Sequence, residues 1–152
     1  MQFQAAGIVR MDLFARGTLI RTGHFNDDYT LIEDLSCGDY VYDPVRERYF
    51  DIVDCSCQTL ARDTAQTAGF SVLRLDKSSP VCGSLMFAVR GHDLSASGRP
   101  MLHRNRCALD EGESEVFYRL VFEGQVTLDT RVALCTPQEA NPAPRFAPAL
   151  AS

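Results

Sequence analysis

A chain of 152 residues makes one ordinary domain, long enough to remove roughly 70% of its unfolded surface from water. With 45% hydrophobic and 23% charged residues it belongs with soluble globular proteins, not with disordered or fibrous ones. The net charge is −5, and the only basic concentrations are Arg10, Arg16, Arg21 and the loop group Arg99, His103, Arg104 and Arg106, which speaks against nucleic acid as a partner.

The opening "MQFQAAGIVRMD" has no apolar run of leader length before Asp12, and the longest uncharged apolar stretch, residues 84–89, is far too short to span a bilayer. The expectation is therefore no membrane partner and a cytoplasmic protein, made and kept in the cytosol or packed into a particle assembled there. Cysteines stand at 37, 55, 57, 82, 107 and 135. In that compartment reduced thiols are the default, most of them acting as small buried hydrophobes.

Short runs of Val, Ile, Thr, Phe and Tyr, broken every eight to twelve residues by turn signals, predict a mainly β fold. The first strands fall at 3–10 and 17–22, and after the turn "GHFNDD" a third at 29–35. Gly38 in "SCGD" marks a tight turn before "YVYD" at 40–43. Residues 48–60 read as one longer strand, in which Phe50, Ile52 and Cys57 do not keep one parity, so a bulge is expected inside it. A helical turn or two at 61–69, ended by Gly69, leads into strands at 70–76 and 84–91.

The best-defined expectation is a hairpin over 115–134. Val116, Tyr118, Leu120 and Phe122 share one face, and Val126, Leu128, Thr130, Val132 and Leu134 share another. The two faces coincide only if Phe122 pairs with Val126 across a three-residue Glu123-Gly124-Gln125 loop, because one step of register flips every side chain. After Cys135 the composition shifts to Pro and Ala. Thr136-Pro137-Gln138-Glu139 has the form of a helix start that Pro142 stops after a turn. This divides the chain into a β domain at 1–135 and an extended Pro/Ala-rich tail at 136–152.

Phe14, Gly17, Thr18, Ile20 and Thr22, followed by Glu33, Asp34, Leu35, Gly38, Asp39 and Val41, spell F-x-x-G-T-x-I-x-T and then E-D-L-x-x-G-D-x-V. Over residues 13–43 this resembles the first half of Hint domains, the hedgehog/intein family, and especially its standalone bacterial branch. The resemblance implies a fold of long curved antiparallel strands, with Gly17 permitting a tight approach. It also implies self-processing by an acyl shift onto a thiol or hydroxyl just before Phe14, and here Leu13 stands in that place. Further along, His92 falls in a family position, but Val89 occupies the place of the hydroxyl three residues before it. No His lies near the turn at 123–125, and no terminal His-Asn pair is present. Leu13, Val89 and His92 thus mark a degenerate centre without a catalytic residue.

Other constellations have plainer readings beside the chemical ones. Cys55 and Cys57 put two sulfurs on one strand face, where a metal could use both if the fold brought up Cys82, Cys107, His92 or His103; the plain reading is two buried strand thiols. Cys37, in a turn, is expected to be exposed, and pairing it with His24, or Cys82 with His92, would make a dyad. The acidic run 110–115 reads as a solvated loop. The expectation is a non-enzymatic structural or interaction module without cofactor, one subunit of a homo- or hetero-oligomeric assembly such as a phage or phage-like particle. Its edge strands and its tail residues Pro142, Pro144, Phe146 and Leu150 are expected to dock onto other protein subunits. The alternatives are a self-processing Hint protein using a thiol such as Cys37, and a small zinc-binding module built on Cys55 and Cys57.

Overall fold

The computed structural model describes residues 8–25, 27–77, 83–90, 103–106 and 109–137. The expected docking positions Pro142, Pro144, Phe146 and Leu150, together with His92, Cys82 and Cys107, lie outside them. Among the described residues the fold is mainly β, with antiparallel sheets and one short helix. No helix among them is long and apolar enough to cross a membrane.

Thirteen strands are described, in chain order β1 (Ile8–Arg10), β2 (Leu13–Ala15), β3 (Leu19–Arg21), β4 (Tyr29–Leu31), β5 (Tyr40–Asp43), β6 (Arg48–Asp51), β7 (Asp54–Ala61), β8 (Phe70–Lys77), β9 (Gly83–Arg90), β10 (His103–Arg106), β11 (Ser114–Val121), β12 (Leu128–Asp129) and β13 (Leu134–Thr136). The helix α1 (Arg62–Thr67) lies between β7 and β8. The largest sheet has the order β10-β8-β9-β2-β11-β7, and a small one has the order β1-β13-β12. Two hairpins, β3-β4 and β5-β6, complete the described strands.

The six-stranded sheet is apolar on both faces, and this is what divides the core. Phe14, Leu73, Leu75, Leu85, Phe87, Val89 and Leu120 point to one side, where Val9, Met11, Ile20, Ile32, Val41, Ile52, Leu128 and Cys135 join them. Leu13, Ala15, Phe70, Val72, Ala88 and Phe117 point to the other, where Leu60, Leu109 and Ala65 of α1 cover them. Strand alternation sends neighbours such as Leu13 and Phe14, or Val72 and Leu73, into different halves of the core.

That two-sided burial overturns the hairpin expected over 115–134. Phe117, on the face opposite Val116 and Tyr118, is fully buried. β11 pairs along its whole length with β7, from Ser114↔Ala61 to Val121↔Asp54, and on its other edge with β2. Both edges are taken, so nothing is left for 126–134. Glu123-Gly124-Gln125 instead carries the chain into a different sheet. There β12 pairs with β13 (Leu128↔Cys135), and β13 runs parallel to β1 (Val9↔Cys135). The reversal sits at Arg131, whose φ is 76°. It has no glycine; Asp129 Oδ1 accepts the Arg131 amide at 2.8 Å, and Thr130 Oγ1 donates to Ala133 O at 2.7 Å. Side chains here do the work a Gly or Asn would do in a two-residue turn.

The long strand expected at 48–60 is two strands, not one with a bulge. The Ile52 amide closes the β5-β6 hairpin on Asp39 O at 2.8 Å, and the next amide, Val53, donates to Val121 O at 2.9 Å. The chain changes partner within one peptide, which accounts for the broken parity. The strand expected at 29–35 ends at Leu31 and continues as one 3-10 turn, Ile32–Asp34, that sinks Ile32 into the core. Thr136, expected as a helix N-cap, is the last residue of β13. The turn at Gly38 (φ 100°) and the helix stop at Gly69 (φ 84°) stand where they were expected.

Candidate functional site

The segment leading to Leu13 is built into the fold rather than presented. Val9 and Met11 are buried, and the Met11 amide donates to Thr136 O at 2.9 Å. The Asp12 amide donates to Ala88 O at 2.9 Å, and Leu13 then pairs with Ala88 in β9. Leu13 itself is 2% exposed and Val89 1%, so the two positions where the resemblance places nucleophile and hydroxyl lie on neighbouring strands as apolar core residues. Their side chains point to opposite faces of the sheet, Leu13 with Phe117 and Val89 with Phe87.

Polar groups at this junction are tied to one another. Asp12 Oδ2 accepts the Arg90 amide at 2.6 Å and the Arg10 guanidinium at 3.1 Å. The same Arg10 nitrogen donates to Arg90 O at 3.2 Å, and the Arg90 guanidinium lies 4.5 Å over the Phe70 ring. One carboxylate oxygen with two charged or amide donors is a fastener between β1 and the end of β9, not a base in search of a proton. Thr18 is no nucleophile either: its buried hydroxyl donates to Ala15 O at 2.6 Å.

The residues on which the Hint resemblance rests have a structural meaning here. Gly17 takes φ 92°, and a Cβ added to it would meet nothing within 4 Å, so the expected close approach is absent and conformation alone calls for glycine. Its amide donates to Glu33 Oε1 at 2.8 Å, while Arg16 stands 3.9 Å from Glu33 Oε2. The Ile32 amide donates to Thr18 O at 2.8 Å. Thus "ARGT" and "IEDL" clasp one another. Ser36 and Asp39 close the following turn through the Ser36 amide and Asp39 Oδ2 at 2.9 Å.

Among the described residues the cysteines form no metal-binding cluster. Cys57 is exposed and Cys55 only half-buried, which corrects the expectation of two buried strand thiols: β7 is the outer strand of its sheet, and its middle residues face outward. Among the described residues no group of three or more His, Cys, Asp and Glu is arranged to hold a metal ion. Cys37 is exposed, as expected, and its thiol donates to Val53 O at 3.2 Å. His24, its candidate partner, packs its ring edge-on against Phe25 and Tyr42. Cys135 is fully buried, and burial pushes its thiol up, which favours the neutral thiol over the thiolate.

Sequence reasoning missed two constellations. Asp43, fully buried, accepts the Val45 and Arg46 amides on Oδ1 at 2.8 and 2.9 Å. Its Oδ2 accepts the Arg46 guanidinium and the Thr127 amide, both at 2.9 Å, which pins the β5-β6 turn to the approach to β12. The second is a continuous run of rings on one face of that hairpin. Tyr40 and Tyr49 are 5.2 Å apart between centroids, Tyr49 and Tyr42 5.1 Å, Tyr42 and His24 5.5 Å, and His24 and Phe25 5.7 Å. The signal for it was the i, i+2 pair in "YVYD" opposite Tyr49, legible only with the hairpin register Tyr42↔Tyr49 in hand.

Arg21 links the rings to the small sheet. Its guanidinium lies 4.9 Å over the Tyr42 ring and 3.6 Å from Asp129 Oδ2. That same oxygen accepts the Tyr29 hydroxyl at 3.0 Å. Burial, reinforced by the Asp129 carboxylate, raises the Tyr29 pKa from 10.0 to about 12.

Compared with known proteins, the chain matches no family model, no curated protein and no solved structure.

Proposed function

We propose that the chain is a non-catalytic interaction module, a Hint-like β scaffold whose processing junction is packed shut, serving as one subunit of a larger protein assembly. The observation that carries this reading is the state of the Asp12–Leu13 junction. Self-cleavage needs a nucleophile beside the scissile amide and a leaving segment free to depart. Here Leu13 is core, and the residues before it supply a strand, two buried side chains and two backbone hydrogen bonds to the rest of the fold. Cutting there would remove part of the core.

The outer edge of β7 supports the interaction half of the reading. Among the described residues no strand pairs with it, and Ser56, Cys57, Gln58 and Thr59 are exposed along it. An eight-residue edge of this kind accepts an added strand. Incorporation into an assembled particle belongs to the same reading.

The test is the intact mass of the chain carrying a short N-terminal tag, before and after incubation with excess thiol. One unchanged mass is expected. Two fragments dividing between Met11 and Phe14 would overturn the non-catalytic reading.

A further inference from the structure

The backbone of β7 has one side on β11 and one side open, and neighbouring hydrogen bonds show which residues face which way. The Arg16 amide donates to Val116 O at 2.9 Å, so Val116 turns its backbone groups toward β2. Antiparallel residues alternate in this respect, so Phe117 and Arg119 turn theirs toward β7 and exchange bonds with Gln58 and Ser56. Cys55, Cys57, Thr59 and Ala61 therefore turn their amides and carbonyls outward. At the two ends these groups are already used. The Cys55 amide donates to Asp54 Oδ1 at 2.9 Å. The Ala61 amide donates to Thr64 Oγ1 at 2.7 Å, and the Thr64 hydroxyl donates to Ala61 O at 3.1 Å. Cys57 and Thr59 stand between these caps, both exposed, and no strand among the described residues pairs with them. Nothing in the stretch guards it: between Asp54 and Arg62 there is no charged residue, proline or glycine.

We propose that this edge takes a second copy of the chain, antiparallel about a two-fold axis at Gln58, with Cys57 paired to the partner's Thr59 and Thr59 to the partner's Cys57. This rests on the reading of the chain as an interaction module and names the partner strand as β7 itself. The caps select the register. An axis at Cys57 would set Thr59 against the partner's Cys55, and an axis at Thr59 would set Cys57 against the partner's Ala61; in both cases the opposing amide is already taken. Only the axis at Gln58 lets the open amides and carbonyls of both copies satisfy one another. The same register brings Asp54, which is exposed, opposite the partner's Arg62 at each end, an opposite-charge pair across the strands. The helix does not stand in the way, since α1 turns inward from the end of β7 to pack on β8. Bonding and charge are thus symmetric about Gln58, which an unrelated strand would not require.

Sedimentation equilibrium of the full chain under reducing conditions is the first test, and twice the chain mass is expected. A single-chain mass at every concentration overturns the self-pairing and leaves the interaction reading standing, whereas cleavage of the tagged chain overturns the reading beneath it. Thr59→Pro removes an outward amide and no bond to β11, so it is expected to give single chains with an unchanged thermal transition. A dimer that survives Thr59→Pro overturns the proposal. Loss of the fold in that variant would mean that the Thr59 amide serves β11, and overturns the register. Arg62→Glu puts a carboxylate in the first turn of α1, where the helix tolerates it, and opposite the partner's Asp54. It is expected to weaken association about tenfold, and Asp54→Lys added to it to recover the loss; no recovery overturns the pairing at the ends. Residues paired without exchanging bonds lie about 4.5 Å apart between Cα atoms, within disulfide reach. Gln58→Cys under mild oxidation is therefore expected to link two copies through position 58. A link through Cys57 instead moves the axis and overturns the register.

Discussion

Two regions of this molecule carry the same kind of residue to opposite ends. At the Asp12–Leu13 junction every large apolar side chain is buried, and the one carboxylate is held by Arg10 and the Arg90 amide. On the β5-β6 hairpin, large aromatic side chains are left half in water, although the hairpin itself is anchored by a fully buried carboxylate, Asp43. The first region is where the Hint resemblance would place a nucleophile, and it has the packing of a core. The second holds only Val41 of that pattern, and it leaves Tyr40 and Tyr49 about half-exposed.

The largest expected effect comes from Leu13→Ala, which tests the first region as core. A buried leucine truncated in close packing costs about 2–5 kcal/mol. Leu13→Cys sharpens the contrast, because it restores a thiol at the place where the resemblance expects one. We expect a destabilised chain of unchanged mass, since neither a free leaving segment nor an adjacent base comes with the substitution. Fragments from this variant would show that only the nucleophile had been lost.

Next, the second region is broken from beneath. Asp43→Ala removes a fully buried acceptor for four donors, and leaving a buried donor such as the Thr127 amide unsatisfied costs about 1–3 kcal/mol, while the part-exposed Arg46 keeps Thr127 Oγ1 at 3.3 Å. Chemical denaturation should show that loss, and Tyr40 and Tyr49 should lose their mutual ring contact. A loss below about 1 kcal/mol would mean that the hairpin is held from elsewhere.

The seam between the two regions titrates. Tyr29 has a folded pKa of about 12 against 10.0 for the free side chain, so its neutral form is favoured by folding. That contribution is fully present below pH 10 and is lost as pH rises from 10 toward 12. Stability against denaturant should therefore fall across that window, and Tyr29→Phe should flatten the fall. An unchanged slope in the variant would assign the alkaline loss to other groups.

The smallest stability effect is expected at the run of rings. Tyr40→Ser, at a half-exposed position, should shift stability by no more than about 0.5 kcal/mol. A loss several times larger would make the rings structural.

How much was legible divides along physical lines. Turns dictated by single residues were readable: Gly38 and Gly69 take positive φ where the chain must reverse or stop, and few other residues do this easily. The β class was readable because alternation and β-branched runs are local properties, and the start of α1 is local too, with the Ala61 amide donating to the Thr64 hydroxyl at 2.7 Å. Registers that depend on which faces are buried were not. The hairpin over 115–134 failed because alternation was judged on one face, whereas Phe117 buries the other. The switch at Ile52 and Val53 and the reversal at Arg131 carry no glycine or proline and are made by hydrogen bonds to distant or side-chain partners.

The amino-acid sequence by itself determined the strand-rich class and the glycine turns, since each follows from residue type and near neighbours. Only the tertiary structure decided that the segment before Leu13 is a parallel strand against β13, that Cys57 is exposed on the edge strand β7, and that Tyr40 and Tyr49 stand exposed beside a buried Tyr42 on one face of their hairpin. Those are pairings between residues far apart in the chain. Their energy comes from burial and from hydrogen bonds shared across sheets, which no local pattern contains.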